Sequence, residues 1–251
     1  MDVRDERRGA MDRLRRTTVG RSIFRTPDRS TPRDRAAGHW SNFFLHIYPV
    51  KMRKEEVGVR YSWYLGAISV VLFGSLVASG IYLMFFYVPS PASAYTDILT
   101  IQNEVAFGQY VRNVHRWSAH LMVITGAAHM ARVFYRGAYK PPKEFNWVIG
   151  VVLLVLTLLM SFTGYLLPWD QLAYWAVTVG ASMASYVPFI GDQVQEILLG
   201  GSTVGSAALL RFYVLHVALL PVAIVVILMV HLWRWRKDAM LDTERSEPDA
   251  S

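Results

Sequence analysis

Residues 107–135 read FGQYVRNVHRWSAHLMVITGAAHMARVFY, and residues 207–235 read AALLRFYVLHVALLPVAIVVILMVHLWRW. Each stretch carries a widely spaced pair of histidines inside an apolar run, and the first holds His120 besides. His115 and His129 are fourteen residues apart, and His216 and His231 are fifteen apart. At about 1.5 Å per residue each pair spans roughly 21–22 Å of helix, and at about 100° per residue both return to nearly the same face. Two such helices side by side oppose His115 to His216 at one level and His129 to His231 at another. Neutral imidazole ligates haem iron through one nitrogen and donates a hydrogen bond through the other. The pattern is therefore a frame for two b-type haems with every axial position filled, which favours electron transfer over oxygen binding. His120, five residues after His115, points about 140° away and is not expected to be a ligand.

Working outward, apolar runs cover roughly 62–87, 117–134, 147–168 and 208–233. Each is close to the twenty or so residues that cross a bilayer core of about 30 Å as a helix. The predicted fold is an all-α membrane protein, a four-transmembrane-helix haem-binding bundle with an N-terminal amphipathic segment. Residues 1–38 read as a polar, disordered tail, 39–60 as an interfacial amphipathic segment, 61–237 as the four-helix domain and 238–251 as a polar C-terminal tail. The first crossing begins at Tyr61 or Ser62 and ends near Pro89, the second runs from Phe107 to Tyr135, the third over 145–167, and the fourth from Ala207 to Trp235. The linkers 90–106 and 170–207 are expected to carry short helices.

Residues 1–61 hold 15 Lys or Arg, whereas the connections 88–109 and 169–207 hold none. With four crossings every basic segment falls on one side, and the positive-inside rule makes that side cytoplasmic, both termini included. The expected location is a prokaryotic cytoplasmic membrane, multi-pass. This topology accounts for the net charge of +7 without a nucleic-acid partner. With no cysteine in the chain, a disulfide frame, a cysteine-held iron–sulfur cluster and a thioether-linked haem are all excluded.

Gly66 and Gly80 in the first run, and Gly150 and Gly164 in the third, repeat the fourteen-residue interval. A glycine lets backbone approach a flat macrocycle closely. Arg112, Arg116 and Arg211 are the basic residues near the outer histidines, and they break the charge bias. Counter-charge for haem propionates would explain them, because buried carboxylates need compensation. Arg132 is placed to do the same for the inner haem.

Three motifs, His115-Arg116-Trp117-Ser118-Ala119, Gly164-Tyr165-Leu166-Leu167-Pro168-Trp169-Asp170-Gln171 and Arg211-Phe212-Tyr213-Val214-Leu215-His216, together resemble the N-terminal four-helix half of cytochrome b. The fifteen-residue histidine step resembles the split cytochrome b6 type. The resemblance covers about 40–237. It implies a dihaem electron-transfer subunit of a quinol:cytochrome c or b6f-type oxidoreductase, inactive alone, carrying electrons from an outer quinol site to an inner quinone site with proton translocation. It also implies a Rieske iron–sulfur protein, a c-type cytochrome, membrane lipid and a dimeric complex. Tyr165, Leu166, Pro168 and Trp169 would line part of the outer quinol site. The Pro-Glu-Trp-Tyr motif of the C-terminal half is absent, so a separate subunit is expected to supply it. Where cytochrome b6 has the cysteine that holds an extra haem covalently, this chain has Tyr64, so no thioether haem is expected there. The rival readings are a dihaem membrane anchor of a dehydrogenase or hydrogenase, and a haem-free transporter or structural bundle.

Overall fold

A computed structural model describes residues 17–23, 63–141, 143–201 and 203–246. The predicted interfacial segment 39–60 and almost all of the 1–38 tail lie outside those residues. Helix α1 (Thr18–Ile23) is followed by α2 (Leu65–Met84), α3 (Ala94–Asn103), α4 (Gly108–Tyr135) and α5 (Glu144–Leu166). Then come α6 (Gln171–Ser185), α7 (Gly191–Leu199), α8 (Ser206–Val214), a π turn over Leu215–Leu219 and α9 (Leu220–Ser246).

Among the described residues three stretches are long and apolar enough to cross a membrane: Leu65–Met84, Glu144–Leu166 and Ser206–Arg236. The sequence reading counted four. Helix α4 has the length, at 28 residues, but is not among the apolar three. The cause lies in its sequence, since Arg112, His115, Arg116, His120, His129 and Arg132 dilute its hydropathy. The apolar helices keep most of their side chains outward, Val71, Val155 and Val222 among them. Hydrophobic residues on all faces of a helix suit a lipid solvent.

Helix ends follow local chemistry. Trp63 and Tyr64 take left-handed φ of 52° and 55°, which stops α2 from starting at 61 or 62 as expected. The chain leaves α2 at Met84 because Val88 precedes Pro89, and a pre-proline residue avoids helical geometry. At Phe107 a φ of 58° delays α4 to Gly108. The last helix continues to Ser246 rather than ending near Trp235. Its extension, KDAMLDTERS, is rich in good helix formers.

Asp170 caps α6, accepting from the Ala173 N–H at 2.8 Å. Asp170→Ala is expected to destabilise the fold by about 1 kcal/mol, the usual effect of a lost cap. Thermal melts in detergent should show a lower Tm for Asp170→Ala, whereas Asp170→Asn should behave as wild type.

The described chain forms two compact units. One comprises Leu65–Ala127 with Leu154–Val226; the other contains Ala128–Leu153, with the described residues before Leu65 and after Val226. The core of the first unit gathers Ala94, Leu166, Val177, Ala181, Leu199, Ala208, Leu209 and Phe212. Within it α2 meets α4 through small polar side chains: Ser69 bonds Thr125 at 3.0 Å and Ser75 bonds Ser118 at 3.1 Å. Small residues of this kind let membrane helices pack closely.

The π turn was not foreseen. Pro221 offers no N–H to the carbonyl of Val217 and crowds it, so the ladder opens there. Leu220 N–H instead reaches back five residues to the Leu215 carbonyl. Such a turn holds one residue more than an α turn. On a uniform α-helix, fifteen steps and fourteen steps differ by about 100° in direction.

Candidate functional site

In the first unit α4 carries His115 and the π turn carries His216. Their ring centres stand 6.2 Å apart, with ring planes at 65°. Imidazoles bind metals at about 2.0–2.1 Å through nitrogen, so two rings on opposite sides of one metal have centres about 6 Å apart. Nδ1 of His216 lies 3.0 Å from the Met160 carbonyl. A carbonyl only accepts, so Nδ1 carries the proton and the lone pair is on Nε2. Thr163 Oγ1 lies 3.2 Å from the same Nδ1. Nδ1 of His115 lies 2.9 Å from Ser79 Oγ.

Glycines face both rings. A Cβ on Gly80 would come within 3.3 Å of His115 Cε1, and one on Gly164 within 2.5 Å of His216 Cε1. The sequence assigned both glycines to close approach, and each looks onto an imidazole.

The second unit carries His129 on α4 and His231 on α9. A Cβ on Gly150 would stand 3.5 Å from His231 Cε1. Both Nδ1 atoms are buried and have no hydrogen-bond partner among the described residues. Gly66 lies in the first turn of α2.

The arginines are placed variously. Arg112 donates to Gln102 Oε1 at 3.1 Å. Arg132 sits 4.4 Å over the Trp63 ring. Arg116 is exposed. Arg211 donates to the Glu196 carbonyl at 3.1 Å and to that of Ile197. It thereby ties down the last carbonyls of α7, a role the sequence reading did not anticipate; cations stabilise that end of a helix. His120 packs edge-on against Trp117 and is exposed.

At the end of α5, Leu166 is fully buried, Tyr165 is exposed, and Trp169 takes a φ of 52° and meets Tyr174 edge-on at 6.0 Å. Tyr87 donates to the Leu167 carbonyl at 2.6 Å and stacks on Tyr213. Burial, with Asp97 nearby, pushes the Tyr87 hydroxyl well above the usual tyrosine pKa, so it stays a donor. Sequence reasoning missed Ser79, Thr163 and Tyr87. A signal existed for two of them, since a hydroxyl residue precedes each outer glycine in Ser79-Gly80 and Thr163-Gly164.

A helical membrane protein that brings half-buried imidazoles together and faces them with glycine has residues suited to holding haem. The His115–His216 donor set and the glycine-faced space fit such a group. The profile of the family described as cytochrome b/b6/petB matches residues 51–239, and the chain belongs to that family. It is 43% identical over 178 residues to cytochrome b6 of Heliomicrobium gestii, covering 71% of this chain and 84% of that one. It is 42% identical over 176 residues to cytochrome b6 of Synechococcus elongatus, covering 70% and 82%. Among solved structures it resembles a chain of a hyperthermophilic respiratory Complex III, with a TM-score of 0.66 and 28% identity. That likeness covers 76% of this chain and about half, 51%, of the other. The chain is thus a multi-pass, cytochrome b/b6-type electron-transfer subunit related to bc1- and b6f-type oxidoreductases, and its family works within larger complexes.

Proposed function

We propose that this chain is the dihaem electron-transfer subunit of a quinol:cytochrome c (b6f-like) oxidoreductase in a prokaryotic cytoplasmic membrane. The observation that carries the proposal is the 6.2 Å separation of the His115 and His216 rings, with the His216 Nδ1 proton given to the Met160 carbonyl. His115 and His216 would hold an outer b-type haem, and His129 and His231 an inner one. Bound haem supplies one-electron transfer, and with two protein ligands per iron it offers no open position for oxygen.

The chain's own residues orient and shield. The Met160 carbonyl and the Ser79 and Thr163 hydroxyls fix the outer rings, while Gly66, Gly80, Gly150 and Gly164 leave space for the macrocycles. Arg112, Arg116 and Arg132 are proposed to face propionates. Arg211 combines any such role with its hold on α7. Tyr165, Leu166, Pro168 and Trp169, braced through Tyr87 and Tyr174, would line part of an outer quinol site, from which electrons pass to an inner quinone site with proton translocation. Helix α4 would be a fourth crossing, stabilised in the bilayer by haem and helix contacts that its own hydropathy does not provide. With four crossings the basic segments share the cytoplasmic face. The complex would add a C-terminal cytochrome b half with the Pro-Glu-Trp-Tyr motif, a Rieske protein and a c-type cytochrome, within a dimer.

Pyridine haemochrome assay of the purified complex should give two b-type haems per chain. A value near zero or one on intact protein would overturn the proposal.

A further inference from the structure

We infer that Ser79 is a positioning residue for the outer site: its hydroxyl accepts the Nδ1 proton of His115, presents Nε2 to iron and lowers the reduction potential of haem held there. The inference rests on the dihaem reading above. Ser79 is 7% exposed, and its Oγ lies 2.9 Å from His115 Nδ1. The hydroxyl proton is already committed, because Oγ donates to the Ser75 carbonyl at 2.6 Å and lies 3.2 Å from that of Leu76. The lone pair therefore faces the ring, and His115 must donate. The result is a chain of bonds from His115 Nδ1–H through Ser79 Oγ–H to the Ser75 carbonyl, in apolar surroundings where such chains reinforce one another.

The inner site lacks this device. Neither inner Nδ1 makes a hydrogen bond of good geometry among the described residues, and what lies near His231 is the Asn146 backbone, not a hydroxyl. The sequence carries the same asymmetry: Ser79-Gly80 and Thr163-Gly164 at the outer level, Leu65-Gly66 and Ile149-Gly150 at the inner. Hydrogen bonding from a coordinated imidazole to an acceptor raises the ligand's basicity and favours oxidised iron. Losing that bond should make the outer haem easier to reduce. Thr163 is a weaker lever, since His216 keeps the Met160 carbonyl without it.

The experiment is a potentiometric titration of each haem band in the purified complex, with a haem count on every sample. Ser79→Ala should keep two haems and raise the reduced:oxidised ratio of the outer haem at fixed potential by about three- to tenfold, or roughly 30–59 mV at 59 mV per decade for one electron. The inner haem should not move, Ser79→Thr should restore the outer value, and Thr163→Val should shift it less. Selective loss of the outer haem in Ser79→Ala, with retention at wild-type potential in Ser79→Thr, would also support the role. Two haems with an unmoved outer potential in Ser79→Ala would overturn it, as would equal shifts or losses in Ser79→Ala and Ser79→Thr. A wild-type complex without two haems would instead defeat the underlying dihaem reading.

Discussion

His216→Ala should reduce the haem content from two per chain to one and leave quinol unable to reduce the haem that remains. Among the described residues no further ligand adjoins the His216 ring on its Nδ1 side. The neighbours of His216 Nδ1 are the Thr163 hydroxyl and the Met160 carbonyl, both poor haem-iron donors. Removing the ring leaves the Met160 carbonyl to the Thr163 hydroxyl, which already donates to it at 3.1 Å, so the loss falls on the ligand set and not on the helix. Altering mere outer-shell partners of a metal ligand typically lowers affinity 10–100-fold, so deleting the ligand should exceed about 100-fold. The inner site should survive, because His129 and His231 belong to the other compact unit. Pyridine haemochrome would count the haems, and dithionite-minus-quinol difference spectra would test the route: dithionite should still reduce the inner haem and quinol should not. Two haems with unchanged titrations would reject His216 as a ligand. His120→Ala is the control and should retain both, since His120 faces outward beside Trp117.

The pairing of His115 with His216 was legible in the sequence, and the helix count was legible in part. Four histidines in apolar runs announce paired imidazoles because an ionisable group at membrane depth is costly unless it has work to do. The glycine interval was equally legible, and Gly80, Gly150 and Gly164 each look onto a histidine. What escaped is what depends on contact across helices. Serine and threonine in a membrane helix bond their own backbone as readily as a neighbour, so Ser79 and Thr163 looked unremarkable until α2 and α5 were placed. Pro221 sits just after a π turn that histidine spacing alone does not reveal. Arg211 drew a single explanation from its proximity to His216, although the α7 carbonyls hold it as well. Helix α4 shows the reverse: the residues that mark it as the functional helix are those that lower its hydropathy below that of its neighbours.

Side-chain bulk at Gly164 should abolish the outer haem without unfolding the chain. Opposing effects set the sign. Replacing a glycine in a helix interior by alanine ordinarily stabilises by roughly 0.5–1 kcal/mol. Against that, a Cβ at Gly164 would stand 2.5 Å from His216 Cε1, 3.0 Å from Nδ1 and 3.1 Å from Nε2. Carbon atoms prefer about 3.5–4.0 Å, so the ring must retreat by about 1 Å. A retreat of that size breaks the bond to Met160 and carries the lone pair off the iron axis, where positioning to about 0.5 Å matters. Overpacking typically costs 1–3 kcal/mol, enough to outweigh the propensity gain. Gly164→Ala should therefore weaken outer-haem binding by about tenfold or more, given 1.4 kcal/mol per decade, and Gly164→Val should remove that haem entirely. The same contacts set an order. At Gly80 the added Cβ would lie 3.3 Å from His115, a tight contact, and at Gly150 3.5 Å from His231, an ordinary one. Alanine should therefore be most harmful at 164, intermediate at 80 and mildest at 150, measured as haem retained per chain after detergent extraction. Equal retention at all three positions would show that these glycines serve helix packing rather than the imidazoles they face.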